Sequence, residues 1–284
     1  MARNRNLAIF LFTIIPTGLL SRLFGHIARI PLPGIVLNPV IRWYSKKFGV
    51  NTGEILLPEG SFRTLDAFFT RQLRDGARPV DNDPRSIVSP VDARVDMFGD
   101  IGDATILQAK GVDYSLKDLI PSGFHRHFIA GSFLTLYLSP GDYHRIHSPV
   151  SGDIAGYFAV PGRLLTVQDY MVRGYRGLFA KNERLISYIR TSRGMVAVCK
   201  IGAMNVGRIT LSYSNVVTNC TFRKKEERLY PEGSMPRIEK GGELGIFHLG
   251  STVILLFPKN AARFEKLMPG TKVVMGQKIA AFIP

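Results

Sequence analysis

After Pro90 the apolar runs of this chain are short, rich in β-branched and aromatic residues, and bounded by glycine or proline. Residues 133–139, 195–201, 208–213 and 252–257 are such runs. No helical pattern of 10–15 residues separates them, which argues against a doubly wound parallel sheet. The pattern predicts a mainly antiparallel β core, a sandwich or a barrel. Residues 1–50 read as helical, and Thr64 opens a further short helix, so the expected class is α+β, with a helical region over 1–60 and a β-rich domain over 61–284.

The helical region differs from the rest in charge. The whole chain carries a net +15, which favours a polyanionic partner. Residues 1–53 hold Arg3, Arg5, Arg22, Arg29, Arg42, Lys46 and Lys47 and no acidic residue, and the same stretch is strongly apolar. Basic and apolar together suit an anionic lipid surface better than nucleic acid, because a duplex gives no return for exposed leucine and phenylalanine. The apolar run that begins at Leu7 meets Pro16. Extended to Leu20 it would reach roughly 21 Å as a helix, short of the ~30 Å hydrocarbon core. No small-residue cleavage site follows it. A second segment, 40–48, sets Val40, Ile41, Trp43, Tyr44 and Phe48 among Arg42, Lys46 and Lys47, a pattern that suits either a headgroup boundary or an ordinary amphipathic helix covering the core. These features, with only two cysteines (Cys199 and Cys220, both in strand-like stretches and expected as buried thiols), point to a peripheral membrane protein facing the cytoplasm.

Nucleotide-binding loops, the H-E-x-x-H zinc motif and the nucleophile elbow of serine hydrolases are all missing. Three polar clusters stand in apolar surroundings instead: Asp92 in SPVDARV; the run from Tyr137 through Asp142, Tyr143, His144, Arg145 and His147; and His248-Leu249-Gly250-Ser251 before the strand TVILLF. Taken singly, each has a structural explanation: turn chemistry, a surface ladder and a strand-entry turn. One echo is visible as well, since 89–95 resembles 148–154. The segment 269–279 resembles the hairpins of biotinyl and lipoyl carrier domains, which suggests a duplicated, flattened β-sandwich.

Together the clusters resemble the phosphatidylserine decarboxylase proenzymes. LGST is similar to that family's self-cleavage site, DYHRIHSP to its histidine motif and SPVDARV to its aspartate motif. FRTLDAFFTRQLRDGARPV, LQAKGVDYSL, VPGRLLTV, LFAKNERL, IGAMNVGRI and KGGELGIFHLGST follow in family order, so the resemblance spans about residues 60–284. Gln168 departs from it, standing where the family pattern has asparagine.

The resemblance implies decarboxylation of phosphatidylserine to phosphatidylethanolamine and CO₂. It implies a covalent pyruvoyl group made from Ser251 by self-cleavage after Gly250, giving chains 1–250 and 251–284, with neither a metal nor pyridoxal phosphate. In this scheme His147 is the base that activates Ser251 and Asp92 holds the His147 tautomer. His144 contacts substrate and protonates the product carbon, and Tyr137 is a substrate contact. The partners implied are an anionic phospholipid membrane, its phosphatidylserine and the two chains of one precursor; a homodimer is allowed, nucleic acid is not. A non-enzymatic basic membrane- or nucleic-acid-binding module is the alternative, and it predicts damage to Asp92, His147, Gly250 or Ser251, all of which are intact.

Overall fold

The computed structural model describes residues 12, 14–109, 112–204, 208–219, 224–248 and 252–284. Most of the apolar run 7–15, together with Cys220, Gly250 and Ser251, therefore lies outside the described residues.

The chain opens with helices α1 (Thr17–Ala28) and α2 (Gly34–Phe48). Gly49 ends α2 in the left-handed conformation that glycine adopts without strain, and Lys46 and Lys47 lie at the negative end of the helix dipole. The short α3 (Leu65–Phe69) starts where expected: Thr64 Oγ1 accepts the Ala67 N–H at 3.0 Å, a cap worth about 1 kcal/mol. A small apolar cluster of Leu37, Val50, Ile55, Phe62 and Phe68 joins α2 to α3 and draws on residues either side of position 60.

Strands then follow as β1 (Ser86–Val88), β2 (Ala93–Asp100), β3 (Thr105–Ala109), β4 (Val112–Ser115), β5 (Ser132–Tyr137), β6 (Arg145–His147) and β7 (Gly152–Val160). After them come β8 (Arg184–Thr191), β9 (Gly194–Ile201), β10 (Arg208–Leu211), β11 (Glu226–Leu229), β12 (Arg237–Ile238) and β13 (Glu243–His248). The last four are β14 (Thr252–Phe257), β15 (Ala262–Phe264), β16 (Lys272–Val273) and β17 (Lys278–Phe282). One-turn helices α4 (Leu116–Leu119), α5 (Asp169–Val172) and α6 (Leu178–Lys181) lie between strands.

The fold is α+β and mainly antiparallel. The largest sheet runs β11-β7-β8-β9-β14-β5-β2-β16, with β12 also on β7, and it does not close, so the barrel option falls. Two smaller sheets, β1-β17-β15 and β10-β13-β6, share its core through Ile87, Ile279, Ile146 and Phe247. β14 is central. Its six residues pair with β5 and five of them also with β9, and all six are buried, as the unbroken apolar run TVILLF demands. Cys199 is buried beside it on β9, where burial pushes its thiol up to about 12.

The expected hairpin at 269–279 does not form. β16 pairs with β2 while β17 pairs with β1 and β15, so the two strands part into different sheets. The echo between 89–95 and 148–154, in contrast, extends to hydrogen bonding. Val88 N donates to Pro149 O at 3.0 Å and His147 N to Pro90 O at 2.8 Å, so the two turns pair with one another. Each turn is also held by a partner loop: Ser89 N bonds Gln277 O and Gly276 N bonds Ser89 O, while Ser148 N bonds Gly242 O and Gly241 N bonds Ser148 O.

Candidate active site

The paired turns bring Asp92 and His147 into one neighbourhood, and β6 adds His144 through its lead-in. β6 pairs with β13, and Phe247 N donates to the His144 carbonyl at 2.9 Å. On the other side Thr252 pairs with Tyr137. The stretch from Tyr137 to His147 therefore touches both strands that flank residues 249–251.

Asp92 is 7% exposed and heavily bonded. Arg78 grips it from two nitrogens, Nε at 2.8 Å and Nη2 at 2.6 Å, and the Met275 N–H donates to Oδ1 at 2.8 Å. Arg78 also reaches Glu54 at 3.0 Å. The side-chain hydrogen bond that Arg78 donates to Asp92 is the main cause that raises Arg78 above its ordinary value.

The expected bond between Asp92 and His147 is not made. His147 Nδ1 lies 2.8 Å from the Gly241 carbonyl, which can only accept, so Nδ1 carries the proton and Nε2 the lone pair. Nε2 faces the Tyr143 hydroxyl at 3.3 Å, and the two rings stack at 5.6 Å. The tautomer is thus set by a backbone carbonyl. Asp92 acts on His147 as a nearby charge that raises its pKa, but burial dominates and holds the imidazole below its ordinary value. A neutral ring whose unprotonated Nε2 accepts from the Tyr143 hydroxyl is the form a base requires.

His144 is completely buried, with its ring 4.2 Å from that of Phe69. Its Nδ1 bonds the Asp142 carbonyl at 2.7 Å, and Nε2 has no partner among the described residues. Burial first, then the charge of Arg71, lowers its pKa to about 3. Donation from a resting imidazolium near neutrality, expected from the ordinary pKa, is therefore not available: the resting ring is neutral and must first receive a proton. Tyr137 is half-buried opposite Thr252, under the guanidinium of Arg94 at 5.2 Å. Gln168 precedes α5 and makes no capping bond, a duty for which asparagine is better suited. Gly250 and Ser251 fall outside the described residues.

Several partners escaped the sequence. Arg78 and Arg71 both lie in the FRTLDAFFTRQLRDGARPV block, and Tyr143 lies within the histidine motif, so they were visible without a role. Gly241 acts through its carbonyl and leaves no side-chain signal. Asp66 of α3 bonds His248 Nδ1 at 2.8 Å, tying the helical layer to the end of β13. Among the described residues no cluster of three or more His, Cys, Asp or Glu side chains could hold a metal ion.

A profile of the family described as phosphatidylserine decarboxylase matches residues 65–281. The phosphatidylserine decarboxylase proenzyme of Brevibacillus brevis is 40% identical over 271 residues, covering 94% of this chain and 94% of its own. That of Myxococcus xanthus is 40% identical over 271 residues, covering 95% and 96%. That of Halorhodospira halophila is 40% identical over 266 residues, covering 93% and 90%. These matches define the class: this is an enzyme, a decarboxylase. The chain belongs to the phosphatidylserine decarboxylase family.

Proposed function

We propose that the chain cuts itself between Gly250 and Ser251, carries a pyruvoyl group at residue 251, and decarboxylates phosphatidylserine at a lipid surface. The observation that carries this reading is the contact of one segment, Tyr137 to His147, with both strands flanking 249–251. In the cut, Ser251 Oγ loses its proton to His147 Nε2 and attacks the Gly250 carbonyl, moving the acyl group from nitrogen to oxygen. β-Elimination of the resulting ester releases chain 1–250 as a carboxylate that keeps the Ser251 oxygen and leaves a dehydroalanine, whose imine tautomer takes up water and loses ammonia to leave the ketone on chain 251–284. β14 stays paired on both sides, so the short chain is retained.

Two buried polar atoms without partners among the described residues, His144 Nε2 and Thr252 Oγ1, fit a carbonyl-bearing group at residue 251. When present, the pyruvoyl group supplies the sink for the electron pair that departing CO₂ leaves behind. The substrate amine reaches the site as an ammonium and must lose a proton before it can act as a nucleophile. Neutral His144 can take that proton at Nε2 and return it to the substrate carbon, so the same proton is moved twice. Asp92 and Arg78 brace the turn whose Pro90 carbonyl accepts the His147 N–H, and Tyr137 lines the approach beside Thr252.

Lipid access fits the helical layer. No described helix is long and apolar enough to cross a membrane. α1 and α2 nevertheless expose Leu19, Leu23, Phe24, Ile35, Val36 and Trp43, with Ile35 86% exposed. Lys47 sits 4.7 Å over the Trp43 ring. Tyr44, by contrast, turns inward, and its hydroxyl donates to Pro140 O at 2.9 Å. Apolar side chains beside Arg42, Lys46 and Lys47, which form no ion pair among the described residues, suit the anionic leaflet of the cytoplasmic membrane face.

Ser251→Ala tests the reading most directly. The variant should remain one folded, inactive chain, whereas the unaltered protein yields a 34-residue fragment, 251–284, whose amino end is blocked. Recovery of that fragment from the variant would end the proposal.

A further inference from the structure

Arg71 is 5% exposed, yet among the described residues no carboxylate oxygen lies within ion-pair distance of it. Its Nη2 donates to two backbone carbonyls, Gly141 O at 2.8 Å and Asp142 O at 3.1 Å. Nε and Nη1 have no partner among the described residues. The Phe68 ring, 5.4 Å from Cζ, offers only a weak cation–π contact. The Asp142 carboxylate is turned away, accepting the Ser139 N–H at 2.6 Å. A buried guanidinium without a counter-ion is expensive, and an orphaned buried polar group calls for a reason.

That reason lies in what it grips. The Asp142 carbonyl oxygen is a shared acceptor: it takes the Arg71 Nη2 hydrogen bond at 3.1 Å and the His144 Nδ1 hydrogen bond at 2.7 Å. The loop has little freedom to move. A Cβ on Gly141 would collide with the Phe48 carbonyl at the end of α2, so the loop is pressed between α2 and Arg71. Two residues before Arg71, Phe69 packs on the His144 ring.

We propose that Arg71 is a positioning residue for the decarboxylation step: it clamps the 141–142 carbonyls and thereby decides which ring nitrogen of His144 carries the proton. The inference deepens the role given above to His144 and rests on it. The clamp aims the Asp142 carbonyl at Nδ1, which leaves the lone pair on Nε2, the atom that must take the substrate's proton. The Arg71 charge also disfavours a second positive charge on His144, so the ring begins each turnover empty. The groups acting on this pair are few. Arg71 and the Asp142 carbonyl face His144, and the Tyr44 hydroxyl, the Asp92 and Asp142 carboxylates and the Arg78 guanidinium act on Arg71.

The test is imidazole nitrogen NMR on the full-length mature protein, alongside CO₂ release and fragment formation on a gel. In the unaltered protein His144 should be a single Nδ1–H tautomer that stays neutral from about pH 8 down to about 5.5, where an ordinary histidine would titrate. Arg71→Met should mix the tautomers and move titration upward. It should cut kcat about 10–100-fold with KM little changed, while the 34-residue fragment still forms. Arg71→Lys keeps the charge but loses the fork, and should give mixed tautomers without the upward shift. An Nε2–H tautomer or ordinary titration in the unaltered protein would overturn the proposal, even if both variants failed to fold. So would an unchanged tautomer in a folded Arg71→Met. Absence of the fragment from the unaltered protein would instead refute the self-cleavage reading and leave the tautomer result standing.

Discussion

The turns at 89–95 and 148–154 share an opening Ser-Pro-Val and its hydrogen bonding, and they part chemically at the fourth residue, Asp92 against Ser151, and at the residue before the serine, Val88 against His147. In both, the leading serine hydroxyl donates to a carbonyl two residues on at 2.6 Å, from Ser89 to Val91 and from Ser148 to Val150. In both, the fourth residue accepts an N–H from the partner loop: Asp92 from Met275 at 2.8 Å, Ser151 from Lys240 at 3.0 Å. A serine hydroxyl is enough for that job, so the carboxylate charge of Asp92 exceeds what the turn needs and is neutralised by Arg78. The residue before the serine makes the same cross-turn bond whether it is Val88 or His147, so the imidazole too exceeds the backbone's needs. The comparison teaches that the two turns share their backbone bonding, while the Asp92 carboxylate and the His147 imidazole add chemistry that this bonding does not require.

Equivalent substitutions in the two copies should therefore have unequal effects. The largest contrast is expected at His147 and Val88. His147→Ala should slow fragment formation about 10²–10⁴-fold, the usual cost of losing a general base, and leave uncut chain on a gel. Val88→Ala should lower the melting temperature while cutting proceeds. Equal stalling in both would mean that the position only braces the fold.

Three residues upstream of the copy, His144→Ala should still be cut, with CO₂ release from carboxyl-labelled lipid falling on the order of 10²-fold. If it blocks the cut while His147→Ala matures, the two roles are exchanged.

Asp92→Ser makes the first turn chemically like the second. The Met275 N–H keeps an acceptor, whereas Arg78 keeps Glu54 and the Ala77 carbonyl but loses the carboxylate that Nε and Nη2 grip, so a stability loss of about 1–3 kcal/mol is expected with a slower cut. Ser151→Ala, the matching change in the second copy, should cost at most about 1 kcal/mol and leave cutting untouched. A normal cutting rate in Asp92→Ser would reduce Asp92 to turn chemistry.

The smallest effect is in pH. Burial holds both imidazoles below their ordinary value, so each is neutral in the fold where a free histidine would begin to charge. Cutting should be flat from about pH 8 to about 6.5 and decline only below that, as His147 gains a proton. Stability should follow the same sign, complete above about 6.5 and falling as acid drives the buried rings to charge, because the unfolded chain takes up those protons first. Thermal melts that steepen on the alkaline side instead would contradict the neutral assignments.

Much of this was legible along the chain. The cap at Thr64, the central strand at 252–257 and the β character after Pro90 all depend on neighbours within a few residues, and local patterns report such neighbours. The histidine and aspartate motifs could be found for the same reason. The false hairpin at 269–279 marks the limit of that method: glycine and proline announce a turn, but not whether the strands leaving it pair with each other.

The sequence by itself determined the class of fold, the short β runs, the basic and apolar N-terminal surface and the residues with chemical capacity. Only the tertiary structure decided their partners. Asp92 found Arg78 and Met275, 14 and 183 residues away, rather than His147. His147 found the carbonyl of Gly241, 94 residues on, and burial, with the Arg71 charge, pushed His144 well below the ordinary histidine range. The physical reason is that propensity and periodicity act over one or two turns of chain, whereas tautomer, ion pairing and pKa depend on which distant groups share the same dry space.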